Sequence, residues 1–232
     1  FCLYLILDGI IALLLPLVHV HFLRNVADSF LQSVQKWRCV ICLVHKQEAN
    51  VMKLLMHICC APCANMPIDA LRADGIDLTG YWYNPNIHPF TEYRARRNCL
   101  QEYAKTIELP LLMRDDYGLR PFVREVAGDI AGRCVKCYEM RLFEAARAAK
   151  EGGFDAFTSS LFISPYQKHE LMRDVAYRAA EEYGVEFYYQ DFRPMFRDGQ
   201  ARARELGFYM QKYCGCVFSE QERYQKPSRI IP

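Results

Sequence analysis

The sequence predicts an α/β protein built on a doubly wound parallel sheet. Three observations carry this. From Met52 onward, short apolar runs alternate with longer amphipathic stretches, the βαβα order of a parallel sheet with helices on both faces. The first run, Leu54–Cys59, is continuously apolar, as in a central strand covered on both sides. Asp74-Gly75, Asn84-Pro85-Asn86, Gly152-Gly153 and Gly184 punctuate the runs where chain reversals are needed.

The elements follow in order. Leu54–Cys59 is the first strand. A helix runs from Pro62 to Ala73, with Pro67 expected in its first turn and Asp74-Gly75 as its stop. Leu78–Tyr83 is the second strand. Pro89–Ile107 is helical, with Thr91 and Glu92 in its first turn, and Leu109–Met113 is the third strand. A short helix over Pro121–Ala127 precedes a cysteine-bearing helix over Cys134–Lys150, stopped by Gly152-Gly153. Ala156–Ser160 is the fourth strand, Gln167–Tyr183 a helix, Val185–Tyr189 the fifth strand, and Arg202–Met210 a last helix. In such sheets ligands bind beyond the carboxyl ends of the strands. Cys59-Cys60, Tyr83-Asn84, Ser159-Ser160 and Asp191 all fall there, so the candidate chemistry gathers at one edge.

The chain of 232 residues is long enough for one full core. Its net charge of +2 creates no global field, so any nucleic-acid contact has to come from a local patch. Eleven cysteines invite comparison with a secreted disulfide framework. Here they abut apolar, strand-like segments instead of spacing out loops, which fits a reducing cytoplasm with metal or redox use. Residues 1–51 read differently from the rest. The stretch 1–23 is apolar but lacks a basic leader and a small-residue cleavage site, and Asp8 and Pro16 argue against a membrane span. We expect 1–51 to be a poorly packed upstream extension, with Met52 opening one α/β domain over 52–232. Cys39-x-x-Cys42 lies in the extension and is set aside as a metal site.

Seven of the eight cysteines beyond Met52 fall in three groups: Cys59-Cys60-x-x-Cys63, Cys134-x-x-Cys137 and Cys214-x-Cys216. Structural cysteines scatter singly; adjacent thiols are what a soft metal or a redox couple requires. Cys59 and Cys60 can supply two thiolates from a strand-to-helix turn. Cys134 and Cys137 can supply two from one helical turn. Four converging thiolates suit a 4Fe-4S cluster or a structural zinc site. The adjacent pair at the end of a buried strand favours the cluster, since zinc knuckles usually sit in loops. Cys63 is either a further ligand or a packed helix residue. Cys214-Gly215-Cys216 can close a small strained disulfide, the labile kind used catalytically, with Gly215 giving the freedom to close it. Cys99, between Asn98 and Leu100, reads as core.

The ordered motifs Leu55-Met56-His57-Ile58-Cys59-Cys60-Ala61-Pro62-Cys63, Tyr83-Asn84-Pro85-Asn86-Ile87-His88-Pro89, Glu92-Tyr93-Arg94 with Arg96-Arg97, Arg133-Cys134 with Cys137-Tyr138 and Arg141-Leu142, Thr158-Ser159 with Leu161 and Ser164-Pro165-Tyr166-Gln167, and Tyr213-Cys214-Gly215-Cys216 span 55–216. In them the sequence resembles the cobalamin-independent epoxyqueuosine reductase family of the QueH type. The resemblance implies an adenine-nucleotide α-hydrolase-like, three-layer fold. It implies an oxidoreductase that reduces epoxyqueuosine in tRNA to queuosine, the last step of that modification. It implies a 4Fe-4S cluster on Cys59, Cys60, Cys134 and Cys137, and a redox-active pair at Cys214 and Cys216. Beyond what the resemblance implies, either an open coordination position on the cluster or an additional iron, held in part by Cys63, would act as a Lewis acid on the epoxide oxygen. The partners are then tRNA bearing epoxyqueuosine and an electron donor, with no membrane. ATP is not expected, because Cys-Cys-Ala-Pro-Cys stands where a nucleotide-cradling loop needs glycines.

Arg94, Arg96 and Arg97 form a basic run that reads as a solvated helix face or, with a tRNA substrate, as phosphate contacts. Among Tyr81, Trp82 and Tyr83 at least one is core, and Tyr83 is placed to stack on an extruded base. His88 and Asp191 are candidate proton donors or ligands for a second metal.

Overall fold

The computed structural model describes residues 51–225; the expectations for the segment before Met52, including Cys39 and Cys42, lie outside them apart from Val51. Five parallel strands form one sheet in the order β3-β2-β1-β4-β5. They are β1 (Lys53–His57), β2 (Asp77–Trp82), β3 (Leu111–Met113), β4 (Ala156–Ser159) and β5 (Glu186–Phe187). Leu54 is in register with Leu78 of β2 on one side and Ala156 of β4 on the other. Leu54, Leu55, Met56 and His57 are fully buried, which is why the first strand reads as an unbroken apolar run.

Seven α-helices flank the sheet among the described residues: α1 (Ala61–Ala73), α2 (Phe90–Thr106), α3 (Leu119–Val126), α4 (Arg133–Glu151), α5 (His169–Tyr183), α6 (Phe196–Glu205) and α7 (Val217–Tyr224). Helix α1 packs on α2 and α6, while α4 packs on α3 and α5. The expected doubly wound, three-layer architecture is the one observed. No helix among the described residues is long and apolar enough to cross a membrane.

Several boundaries differ from the sequence reading. Pro67 lies inside α1, whose first turn carries Pro62 instead. Strand β5 shortens to two residues because it sits at the sheet edge and pairs only with β4. The last expected helix, Arg202–Met210, is displaced to Phe196–Glu205. Gly207, at φ +69°, ends it early, and Arg193–Met195 forms a 3-10 turn that starts it early. Gly199 belongs inside this helix because α6 crosses α1 closely: Asn65 Nδ2 donates to its carbonyl at 2.9 Å. A Cβ there would lie 3.1 Å from Asn65 Oδ1. Helix α7 was not foreseen. It follows Cys216, whose Sγ accepts from the Ser219 amide at 3.3 Å and caps it.

The strand order reverses between β1 and β4, which opens a crevice at their carboxyl ends. The backbone amide of Cys59 spans that crevice, donating to Ser160 Oγ at 3.2 Å. The sheet topology therefore places the first cysteine group at its switch point.

Candidate active site

The turn between β1 and α1 is held from three directions. The His57 ring meets Ser159 Oγ through Nδ1 at 2.9 Å and the Tyr83 carbonyl through Nε2 at 3.1 Å. Asn84 Nδ2 donates to the Ile58 carbonyl at 2.9 Å. Fixed in this way, the sulfurs of Cys59, Cys60 and Cys63 lie within 4.8 Å of one another and are buried. Cys59 and Cys60 Sγ are 3.7 Å apart. Hydrogen bonds from the Cys60 and Cys63 thiols push the Cys59 thiol well below its ordinary pKa. Burial drives Cys60 the other way. Cys63, left open by its spacing, belongs to this group, and Gln211 Nε2 donates to its sulfur at 3.2 Å.

Cys134 and Cys137 occupy the first turn of α4 and do not join that close trio. Burial pushes the Cys137 thiol up to about 12, so it ionises only against a positive charge. Arg141 supplies one. It sits a helical turn further along α4, with Nη2 3.1 Å from Cys137 Sγ and Nε donating to the Cys137 carbonyl at 3.0 Å. Burial opposes its charge, but the sulfurs of Cys137, Cys214 and Cys59 hold its pKa above the ordinary value. The guanidinium thus touches Cys137, and the charges of Cys214 and Cys59 also act on it. This residue carried no role in the sequence reading, although its spacing from Cys137 was a readable signal for a shared helix face.

The third group lies on a loop fastened to the segment before α2. The His88 amide donates to the Gly215 carbonyl at 2.7 Å, and Tyr213 Oη donates to the His88 carbonyl at 2.5 Å. Arg96 donates to the carbonyls of Cys214 and Tyr213 at 3.1 and 3.0 Å. Gly215 takes φ +141°, and a Cβ there would stand 3.3 Å from Ile87 Cγ1 and 3.4 Å from Arg96 Nη1, so glycine is required. Cys214 is exposed and accepts from Gln167 Nε2 at 3.3 Å. Cys216 is buried with Phe122, Val126 and Cys137. All eight cysteines of the described residues are free thiols.

The first and third groups border a cavity of about 920 Å³, with Cys59, Cys63 and Cys214 in its lining; Cys134 and Cys137 do not line it. Its charged lining residues are Arg96, Arg197, Arg204, Lys212 and Arg223, with no acidic side chain among them.

Four sequence expectations are corrected here. Arg96 is not on a solvated face: it is 2 % exposed and ion-paired with Glu92 at 2.7 Å. Its i,i+4 partner and the carbonyls of the cysteine loop draw it inward. Asp191 does not line the cavity; the Arg193 guanidinium clasps its carboxylate at 2.7 Å and holds its pKa down, which favours the charged form. His88 is buried, with Nε2 3.1 Å from the Pro85 carbonyl and Nδ1 accepting from the Val217 amide at 3.3 Å; both ring nitrogens are occupied by backbone. Tyr83 does not line the cavity, and the guanidinium of Arg114 covers one face of its ring, 4.5 Å from the centroid. Of the remaining basic pair, Arg97 is bound to Asp115 at 2.6 Å, and Arg94 lies over the Phe90 ring at 6.0 Å. Trp82 is core, donating to Tyr93 Oη at 3.1 Å. Cys99 is half-buried and accepts from the Tyr209 amide at 3.4 Å.

The model of the family described as epoxyqueuosine reductase QueH matches residues 54–222. The chain belongs to this family. It is 39 % identical over 176 residues to epoxyqueuosine reductase QueH of Dehalococcoides mccartyi, covering 76 % of this chain and 97 % of that protein. It is 38 % identical to the Histophilus somni protein of the same name, covering 72 % of each chain. The Thermotoga maritima protein of that name is 32 % identical, with 76 % of this chain and 95 % of that protein covered. The matched span holds all three cysteine groups and, but for Lys53 at the start of β1, the sheet.

Proposed function

We propose that this QueH family member is an oxidoreductase that reduces epoxyqueuosine in tRNA to queuosine. The observation that carries the reading is the buried cluster of Cys59, Cys60 and Cys63 sulfurs, within 4.8 Å of one another, beside a cavity that also takes in Cys214 and is lined by cations and no carboxylate. The reaction opens the epoxide and forms an alkene. It needs two electrons and two protons, and releases the oxygen as water.

Cys214 and Cys216 have that capacity together. Two thiols oxidised to one disulfide release two electrons and two protons, so dithiol plus epoxide balances disulfide plus alkene plus water. Cys214 faces the cavity; the backbone at Gly215 is already in the conformation that only glycine adopts readily. An external two-electron donor then returns the disulfide to the dithiol.

The buried sulfurs suit a soft metal centre, since they offer closely spaced soft donors, one of them, Cys59, already favoured as a thiolate by its neighbours. Cys59, Cys60, Cys134 and Cys137 would hold a 4Fe-4S cluster, with Cys63 left for an additional iron. When bound, the cluster would supply single electrons. Arg141 balances thiolate charge and orients Cys137. Gln211 and Gln167 orient Cys63 and Cys214 by donating to their sulfurs. The cavity shields the substrate ring from bulk water.

Nucleoside analysis of tRNA from a queuosine-deficient host expressing the chain tests the proposal. The expected result is loss of epoxyqueuosine and appearance of queuosine. Persistence of epoxyqueuosine, with the protein soluble and metal-loaded, overturns it.

A further inference from the structure

We infer that the cavity mouth binds a single-stranded RNA loop, with Arg197, Arg204, Lys212 and Arg223 on its phosphates and Tyr166 as a stacking platform for a base. The inference deepens the proposed function and rests on it for the identity of the RNA. The basic run before it in the chain, Arg94 to Arg97, gives way to this second set.

Charge is the first argument. Arg197 and Arg204 lie seven residues apart on α6, Lys212 lies in the following loop, and Arg223 lies on α7. All four are exposed, and none has an ion-pair or side-chain hydrogen-bond partner among the described residues. Several other surface arginines are matched, Arg97 to Asp115, Arg147 to Glu151, Arg178 to Glu139 and Arg202 to Asp69, whereas Arg94, Arg120 and Arg124 are exposed and unpaired but do not line the cavity. Like charges gathered around one cavity, with no carboxylate in its lining, repel one another until a polyanion neutralises them. They come from three separate elements, so no single helix's solvated face accounts for them.

Aromatic exposure is the second. Tyr166 is 84 % exposed, the most exposed of the large apolar side chains, yet it stands in the cavity lining. Its ring meets Phe196 edge-on at 5.7 Å, which braces one side. Cations that track a backbone, interleaved with a presented ring, are the elements of single-strand recognition.

Depth is the third. Cys59, Cys63 and Cys214 lie in the same lining, and a base stacked inside a duplex does not reach such sulfurs. Gln211 gives its amide N–H to Cys63 while its Oε1 is buried without a partner. That oxygen is an acceptor for an N–H of the inserted nucleoside.

The test is fluorescence anisotropy with a labelled stem-loop RNA and the full chain, over a series of salt concentrations. Arg197→Ala, Arg204→Ala, Lys212→Ala and Arg223→Ala should each lower the log–log salt slope by roughly 0.7. Tyr166→Ala should weaken binding by about tenfold while Tyr166→Phe retains it. Duplex RNA of equal length should compete poorly. An unchanged slope in the four-fold variant, or equal competition by the duplex, overturns the site. Wild-type turnover of epoxyqueuosine is measured in parallel. Turnover with an unchanged slope sinks this site alone; a lowered slope without turnover supports the site and sinks the proposed reaction.

Discussion

The guanidinium of Arg141 lies 3.1 Å from Cys137 Sγ and has no carboxylate partner among the described residues. A buried cation without a carboxylate is costly unless another anion balances it. The sulfurs of Cys137, Cys214 and Cys59 are the groups that raise its pKa against burial. The pairing makes Arg141 a positioning residue for the thiolate site, and it has a direct consequence.

Arg141→Met should leave Cys137 in apolar surroundings with its thiol protonated, so metal uptake falls. We expect iron per chain after anaerobic reconstitution to drop to less than about half, and urea stability to change by roughly 1–3 kcal/mol. Arg141→Lys keeps the charge but loses the two-point contact with Cys137, and should restore much of the iron. Full iron loading in the methionine variant would show that the guanidinium does not serve the thiolates.

Protein purified without oxygen should be brown and carry about four irons per chain. Cys59→Ala, Cys60→Ala, Cys134→Ala and Cys137→Ala should each lose the visible absorbance. A colourless wild type loaded with zinc would rule out the cluster.

Cys214→Ser and Cys216→Ser should keep the colour and lose turnover, because only the dithiol is removed. Gly215→Ala tests the same loop by geometry. With φ +141° and Ile87 3.3 Å from the new Cβ, it should cost about 1–3 kcal/mol and slow turnover. Normal rates in all three variants, with a physiological reductant, would remove the pair from the reaction.

Burial lowers the pKa of His88 from 6.5 to about 4. The native state holds it neutral, while the unfolded chain takes up a proton near 6.5, so protons favour unfolding between these values. The stability it contributes is complete above about pH 6.5 and is lost as pH falls toward 4, on the order of 2 kcal/mol. Urea titrations at neutral and mildly acidic pH should show this fall. His88→Gln should flatten it, and an equal pH dependence in wild type and variant would assign the effect elsewhere.

Much of the fold was legible because burial writes itself into β1. Leu54–Ile58 has no polar interruption except His57, and that residue satisfies both ring nitrogens internally. The stops at Asp74-Gly75 and Gly184 were legible because their backbone needs are local. Helix α6 was misplaced because its start depends on a 3-10 turn and its interior on the close approach of Gly199 to Asn65. The eight-residue α7 was missed because its cap is a cysteine sulfur, outside the usual capping residues. Arg96 was misread because a run of arginines looks the same whether one of them turns inward or not.

The sequence by itself determined the sheet class, the three cysteine groups, their position beyond strand ends and the family they belong to. These follow from periodicity and spacing, which are properties of neighbours along the chain. Only the tertiary structure decided that Cys63 joins Cys59 and Cys60, that Arg141 is buried against Cys137, and that Asp191 and His88 are engaged by Arg193 and by backbone. It also decided that four unpaired cations meet around the cavity. Those relations join residues far apart in sequence, and a side chain's partners are fixed by packing and desolvation, which spacing alone does not encode.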